Sequence, residues 1–68
     1  MPFTHTRLRA LRHEVGLSQR VLAARVGMSE RALRRLERGH SEVRAVTAER
    51  LTRALGVPLM TLFVDEEQ

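Results

Sequence analysis

Among its 68 residues the chain has no cysteine, tryptophan or tyrosine, only two phenylalanines, and no lysine, since every basic side chain is arginine. Without cysteine it can form neither a disulfide framework nor a thiolate zinc site, and nothing ties it to an oxidising compartment. No apolar run approaches the roughly 20 residues of a membrane span. The opening Met-Pro-Phe-Thr-His-Thr lacks the charged and apolar regions of a secretory signal. A soluble, cytoplasmic chain is therefore expected, with no membrane partner. The three histidines make no metal site by spacing: His5 and His13 are more than two helical turns apart, and His40 stands away from any carboxylate cluster. No Ser-His-Asp order, paired inward carboxylates or glycine-rich phosphate loop appears, so neither catalysis nor a cofactor is expected.

What is abundant is arginine. Twelve arginines stand against five glutamates before residue 65, and Asp65, Glu66 and Glu67 then follow, which leaves a net charge of +4 but a basic body and an acidic tail over residues 65–68. Arginine without lysine suits bidentate contacts to phosphates and guanine edges, and equally fits a GC-rich genome. The length predicts a single domain over residues 1–68. That is near the lower limit for a self-sufficient core, which at this size supplies about 3 to 5 kcal/mol, so dimerisation would add stability.

Two short amphipathic helices hinged at Gly27 can be drawn from residues 17–39 alone. Ser18 can cap the first, whose apolar positions Leu22, Ala23 and Val26 recur at helical spacing, and Gly27 supplies a positive-φ stop. Ser29 restarts the chain as a second helix with Ala32, Leu33 and Leu36 inward, leaving Glu30, Arg31, Arg34, Arg35 and Arg38 outward. This is a helix-turn-helix over about residues 18–38, and the partner its guanidinium face fits is the major groove of double-stranded DNA. A coarse pass along the whole chain predicts an all-α, compact bundle of about five short helices: Thr4 to Val15, Ser18 to Val26, Ser29 to Arg38, Val43 to Leu55 and Pro58 to Val64. Leu8, Leu11 and Val15 form the expected buried stripe of the first helix.

Arg7-Leu8-Arg9-Ala10-Leu11-Arg12, Gly16-Leu17-Ser18-Gln19, Leu22-Ala23, Val26-Gly27, Leu36-Glu37-Arg38-Gly39, Ala54-Leu55-Gly56-Val57 and Leu62-Phe63 together resemble the phage-repressor/Cro family of helix-turn-helix regulators, of the xenobiotic-response-element type. The likeness runs without a gap from about Arg7 to Phe63. It implies a lambda-repressor-like DNA-binding domain. The departure lies in residues 39–47, where the family usually has a proline-containing turn and a leucine-rich fourth helix. Here stand Glu42, Val43, Arg44, Ala45 and Val46, so the fourth helix is expected to begin a few residues early, with small Ala45 and Ala48 letting it pack closer or leaving the core thinner.

The candidate contacts follow position by position. Ser18 and Gln19 open a helix whose free N–H groups favour a phosphate; Ser18 also reads as a plain N-cap, and the Gln19 amide can reach a phosphate or a neighbouring side chain. By resemblance, Ser29, Glu30, Arg31, Arg34 and Arg35 face the bases or adjoining backbone. Arg31 and Arg35, one turn apart, can each match a guanine edge, which predicts G-containing half-sites. Glu30 can accept from cytosine N4 or hold Arg34 four residues on. Arg34 and Arg38 fit phosphates, and the loop residues His40 and Arg44 fit the backbone or an adjacent minor groove. In the family that the chain resembles, the acid at the place of Glu37 pairs with an arginine of the first helix. The matching position here is Arg12, the alternative being an exposed Glu37.

The run Val57-Pro58-Leu59-Met60-Thr61-Leu62-Phe63-Val64 is more apolar than one short helix can bury on a single side. By resemblance Leu59, Leu62 and Phe63 belong to the core, leaving Val57, Pro58, Met60 and Val64 for a two-fold contact or for further core packing. Taken together, these features predict a sequence-specific transcriptional regulator, a homodimeric repressor or autoregulator on an inverted-repeat operator. Phage repressor, restriction-modification controller and antitoxin remain open as settings. The alternative is an interaction module whose main partner is a protein bound through the apolar C-terminal run.

Overall fold

The computed structural model describes residues 3–63. Four α-helices follow one another, α1 (His5–Glu14), α2 (Gln19–Val26), α3 (Glu30–Glu37) and α4 (Ala45–Leu55), and a 3₁₀ turn (Leu59–Leu62) closes the order. The two middle helices begin where their serines can satisfy orphan amides. Ser18 Oγ accepts from the Val21 N–H at 3.1 Å and Ser29 Oγ from the Ala32 N–H at 3.0 Å. Between them Gly27 takes φ 75°, and the Met28 N–H returns to the Ala23 carbonyl at 3.0 Å, so only three residues separate the end of α2 from the start of α3.

Five leucines, one from each element, are fully buried at the centre: Leu8, Leu22, Leu33, Leu51 and Leu62. Ala23, Val26, Leu36 and Leu55 extend this core. α2 packs on both α3 and α4, α1 packs on α3, and the 3₁₀ turn bridges α4 and α1. The ends of the described chain meet. Phe3 and Phe63 form an antiparallel bridge, their rings lie edge to face with centroids 5.9 Å apart, and the Thr4 N–H donates to the Leu62 carbonyl at 2.9 Å.

The structure corrects the expected architecture in four places. Val15 is 46% exposed, because α1 turns Leu8 and Arg12 inward and Val15, its C-cap, already follows the chain away from the core. The fourth helix does not start early: Arg44 is extended (φ −84°, ψ 153°), α4 begins at Ala45, and Val43 packs half-buried against the core ahead of it. Ala48 is buried beneath α4, whereas Ala45 is exposed. The last helix shrinks to four 3₁₀ residues, of which Leu62 is buried against the core while Leu59, one turn before it, is 40% exposed, against its expected place in the core.

Candidate nucleic-acid interface

The inner face of α3 is apolar except at its last residue. Leu33 and Leu36 are buried, and so is Glu37, at 6% exposure. Its partner is Arg12 of α1, itself 7% exposed: Nε donates to Glu37 Oε2 at 2.5 Å and Nη2 to Oε1 at 3.0 Å. The remaining guanidinium arm of Arg12 donates to the Leu17 carbonyl at 2.9 Å, and the Gln19 amide donates to Glu37 Oε1 at 3.0 Å. One carboxylate thus joins α1, the entry to α2 and α3, and every donor it meets is fixed by a helix. Burial pushes the Glu37 carboxyl up, but hydrogen bonds from Arg12 and Gln19 and the charges of Arg12 and Arg9 outweigh it, so the group is held below its ordinary value. Among the described residues no buried side-chain polar atom lacks a hydrogen-bond partner.

The outer face of α3 is set by the same registration. Arg31, Arg35 and Arg38 are exposed and Arg34 is half-buried. Glu30 lies 3.5 Å from Arg34 across one helical turn, with both side chains more than a third exposed. Arg35 Nε donates to Ser41 Oγ at 3.3 Å, while the side chains of Arg31 and Arg38 make no hydrogen bond or ion pair among the described residues. Ser18 and Ser29 hold the two helix starts. Gln19, half-buried, is turned toward Glu37. His40 and Arg44 are exposed on the segment leading to α4. Of the candidate apolar contact, Pro58 and Met60 are exposed, Met60 at 58%, whereas Val57 packs half-buried on the core and Val64 lies outside the described residues.

Two features of this region escaped the sequence. The Leu17 carbonyl as an acceptor for Arg12 carries no residue-type signal. The contact of His5 with Gly39 joins residues far apart in the chain. Gly39 sits at φ 78°, and a Cβ there would come within 3.0 Å of the His5 ring. Among the described residues no group of three His, Cys, Asp or Glu could hold a metal ion, and no helix is long and apolar enough to cross a membrane.

This arrangement, a basic helix pinned by a buried pair and preceded by a capped helix, agrees with the comparisons to known proteins. The model of the helix-turn-helix family matches residues 8–62. An HTH-type transcriptional regulator of Methanothermobacter thermautotrophicus is 41% identical over 51 residues, 75% of this chain and 74% of that protein. The restriction-modification controller protein C.AhdI of Aeromonas hydrophila superimposes with a TM-score of 0.84 at 37% identity, over 87% of this chain and 89% of that one. The P22 c2 repressor, solved with a synthetic operator, gives a TM-score of 0.82 at 27% identity, over 91% of this chain and 94% of that one. The chain belongs to the helix-turn-helix family of DNA-binding transcriptional regulators.

Proposed function

We propose that the chain is a sequence-specific repressor or autoregulator that binds an inverted-repeat operator as a homodimer in the cytoplasm. The observation that carries this reading is the outward arginine face of α3, held in register by the Arg12–Glu37–Gln19 network. Arg31 and Arg35 read guanine edges, each good bidentate contact contributing about 1 to 3 kcal/mol of discrimination. The amides at the start of α2, with Ser18 and Gln19, and the side chains of Ser29, Arg34, Arg38, His40 and Arg44 set the register on the sugar-phosphate backbone. Glu30 holds Arg34, a pairing the 3.5 Å separation supports over a cytosine contact. The likeness to a restriction-modification controller and to an operator-bound repressor supports a regulator that binds an operator.

The test is selection of duplexes from random DNA, followed by fluorescence anisotropy on the winner and a scramble across a salt series. A G-containing inverted repeat bound at least about a thousandfold more tightly than the scramble at physiological salt is expected. The double variant Arg31→Ala/Arg35→Ala should lose that preference. Enrichment of no sequence, with equal collapse of both duplexes in salt, would overturn the reading and turn attention to a protein partner for the exposed Pro58, Leu59 and Met60.

A further inference from the structure

On α1, His5, Arg9 and His13 recur every four residues and so form one stripe along the helix, about 12 Å long at a rise of about 1.5 Å per residue. Arg9 and His13 are exposed and His5 is half-buried. Together with Arg38 and His40, from the end of α3 and the loop beyond it, the stripe rims a groove of about 660 Å³ between the two helices. The groove continues into a polar crevice that reaches Gln19 at the start of α2 and Arg34 on the outer face of α3. Thus it extends the surface assigned to DNA and does not form a separate patch.

The charge in this groove is uncompensated. Among the described residues Glu37 is the one carboxylate lining it, and that group is already engaged by Arg12 and Gln19. Arg9 acts on Glu37 only through its charge, and neither the Arg9 nor the Arg38 side chain makes a hydrogen bond or ion pair among the described residues. The rim therefore offers two guanidinium groups without a side-chain partner among the described residues, flanked by three imidazoles, of which His13 Nε2 lies 3.4 Å from Arg12 Nη2. A phosphate diester is the ligand whose charge and acceptors fit such a rim, and duplex DNA laid on α3 brings phosphates to its continuation.

We propose that the groove between α1 and the end of α3, rimmed by His5, Arg9, His13, Arg38 and His40, seats backbone phosphates of the bound duplex beyond the base pairs that α3 reads. The proposal rests on the DNA-binding reading given above. It adds α1 to the contact surface, with Arg9 as its central donor and His13 flanking it. These contacts add affinity and salt dependence without sequence preference, because a phosphate is the same at every step.

The experiment compares wild type with Arg9→Ala, Arg9→Lys and Arg53→Ala by anisotropy on the selected duplex between 50 and 200 mM salt. Arg53, in a cleft between α2 and α4, controls for loss of one positive charge away from the groove. A lost phosphate contact lowers the slope of log affinity against log salt by about 0.9, so the wild-type loss of affinity across that range should shrink about three- to fourfold in Arg9→Ala. Its ratio of selected to scrambled affinity should stay unchanged. Arg9→Lys should restore the slope, and Arg53→Ala should leave it as in wild type. An unaltered slope in Arg9→Ala overturns the proposal while leaving the DNA reading in place. Equal changes in Arg9→Ala and Arg53→Ala, or an Arg9→Lys as defective as Arg9→Ala, also overturn it. Wild type that prefers no sequence removes the reading beneath it.

Discussion

A buried ion pair in so small a domain needs a reason, because taking two charges out of water costs several kcal/mol per ion before their attraction offsets it. Arg12 and Glu37 meet that cost with geometry: two contacts to each other, one to the Leu17 carbonyl and one from Gln19. The pair adds less stability than its contacts suggest, but either partner alone would be an uncompensated charge. Arg12→Ala should therefore destabilise the fold by roughly 3 to 5 kcal/mol. For a domain of this size that lowers the melting temperature by more than about 10 °C, at about 4 to 8 °C per kcal/mol; an unshifted thermal melt would remove the pair from any structural role. The pH dependence has a definite sign. Glu37 titrates lower in the folded chain than its ordinary carboxylate value of 4.5. The stability it contributes is thus complete above the unfolded value and is lost as pH falls through the folded one. Melting temperatures taken from pH 6 down to pH 3 should fall less steeply in Glu37→Gln than in wild type. Gly39 poses a different problem, since φ 78° strains any residue with a Cβ and the His5 ring occupies the space beside it. Gly39→Ala should cost about 1 to 2 kcal/mol, and removing the ring as well, in His5→Ala/Gly39→Ala, should recover little of it because the strain is in the backbone.

At the scale of the element, α2 and α3 were legible because their signals are local. Ser18, Gly27 and Ser29 act on amides and carbonyls within four residues of themselves, and the observed helices start one residue after each serine. Ser29→Ala should accordingly cost about 1 kcal/mol through the Ala32 amide it leaves unsatisfied. Urea unfolding with an unchanged slope and a lower midpoint is the expected result, and a midpoint equal to wild type would mean that water replaces the cap. The other elements were read less well for an equally physical reason. Helical periodicity places Leu8, Leu11, Arg12 and Val15 on neighbouring strips of α1, and a partner elsewhere in the chain decides which strip is buried. Here Glu37 draws Arg12 inward and Val15 is left out. The same limit applies to the 3₁₀ turn: four residues carry too little pattern to show which leucine is buried, and packing against α4 and α1 takes Leu62 in and leaves Leu59 out. Gln19 was legible as a polar side chain at a helix start, but its bond to Glu37 needed α3 in place.

For the molecule as a whole, the unresolved quantity in the sequence was how its apolar surplus is spent. Leu62 and the Phe3–Phe63 contact take part of it inside, and they hold the 3₁₀ turn against α1 and α4. Pro58, Leu59 and Met60 remain outside, Leu59 40% and Met60 58% exposed on one short turn. A stable protein–protein interface buries about 1,200 to 2,000 Å² in total, of which one such turn from each copy supplies a small part. A homodimer built on this turn should therefore be weak in solution and favoured on DNA, where an inverted repeat holds two copies side by side at high effective concentration. Sedimentation of wild type is expected to show a concentration-dependent equilibrium in the micromolar range, and operator titrations a steeper curve than one-site binding. Met60→Glu places a charge in the proposed contact. It should sediment as a monomer at every concentration and bind a full operator no more tightly than a half-site, with its thermal melt unchanged because Met60 makes no part of the core. If Met60→Glu instead sediments as wild type does and keeps the steep titration, the two-fold contact lies on another face, and the exposed turn is free for a different partner.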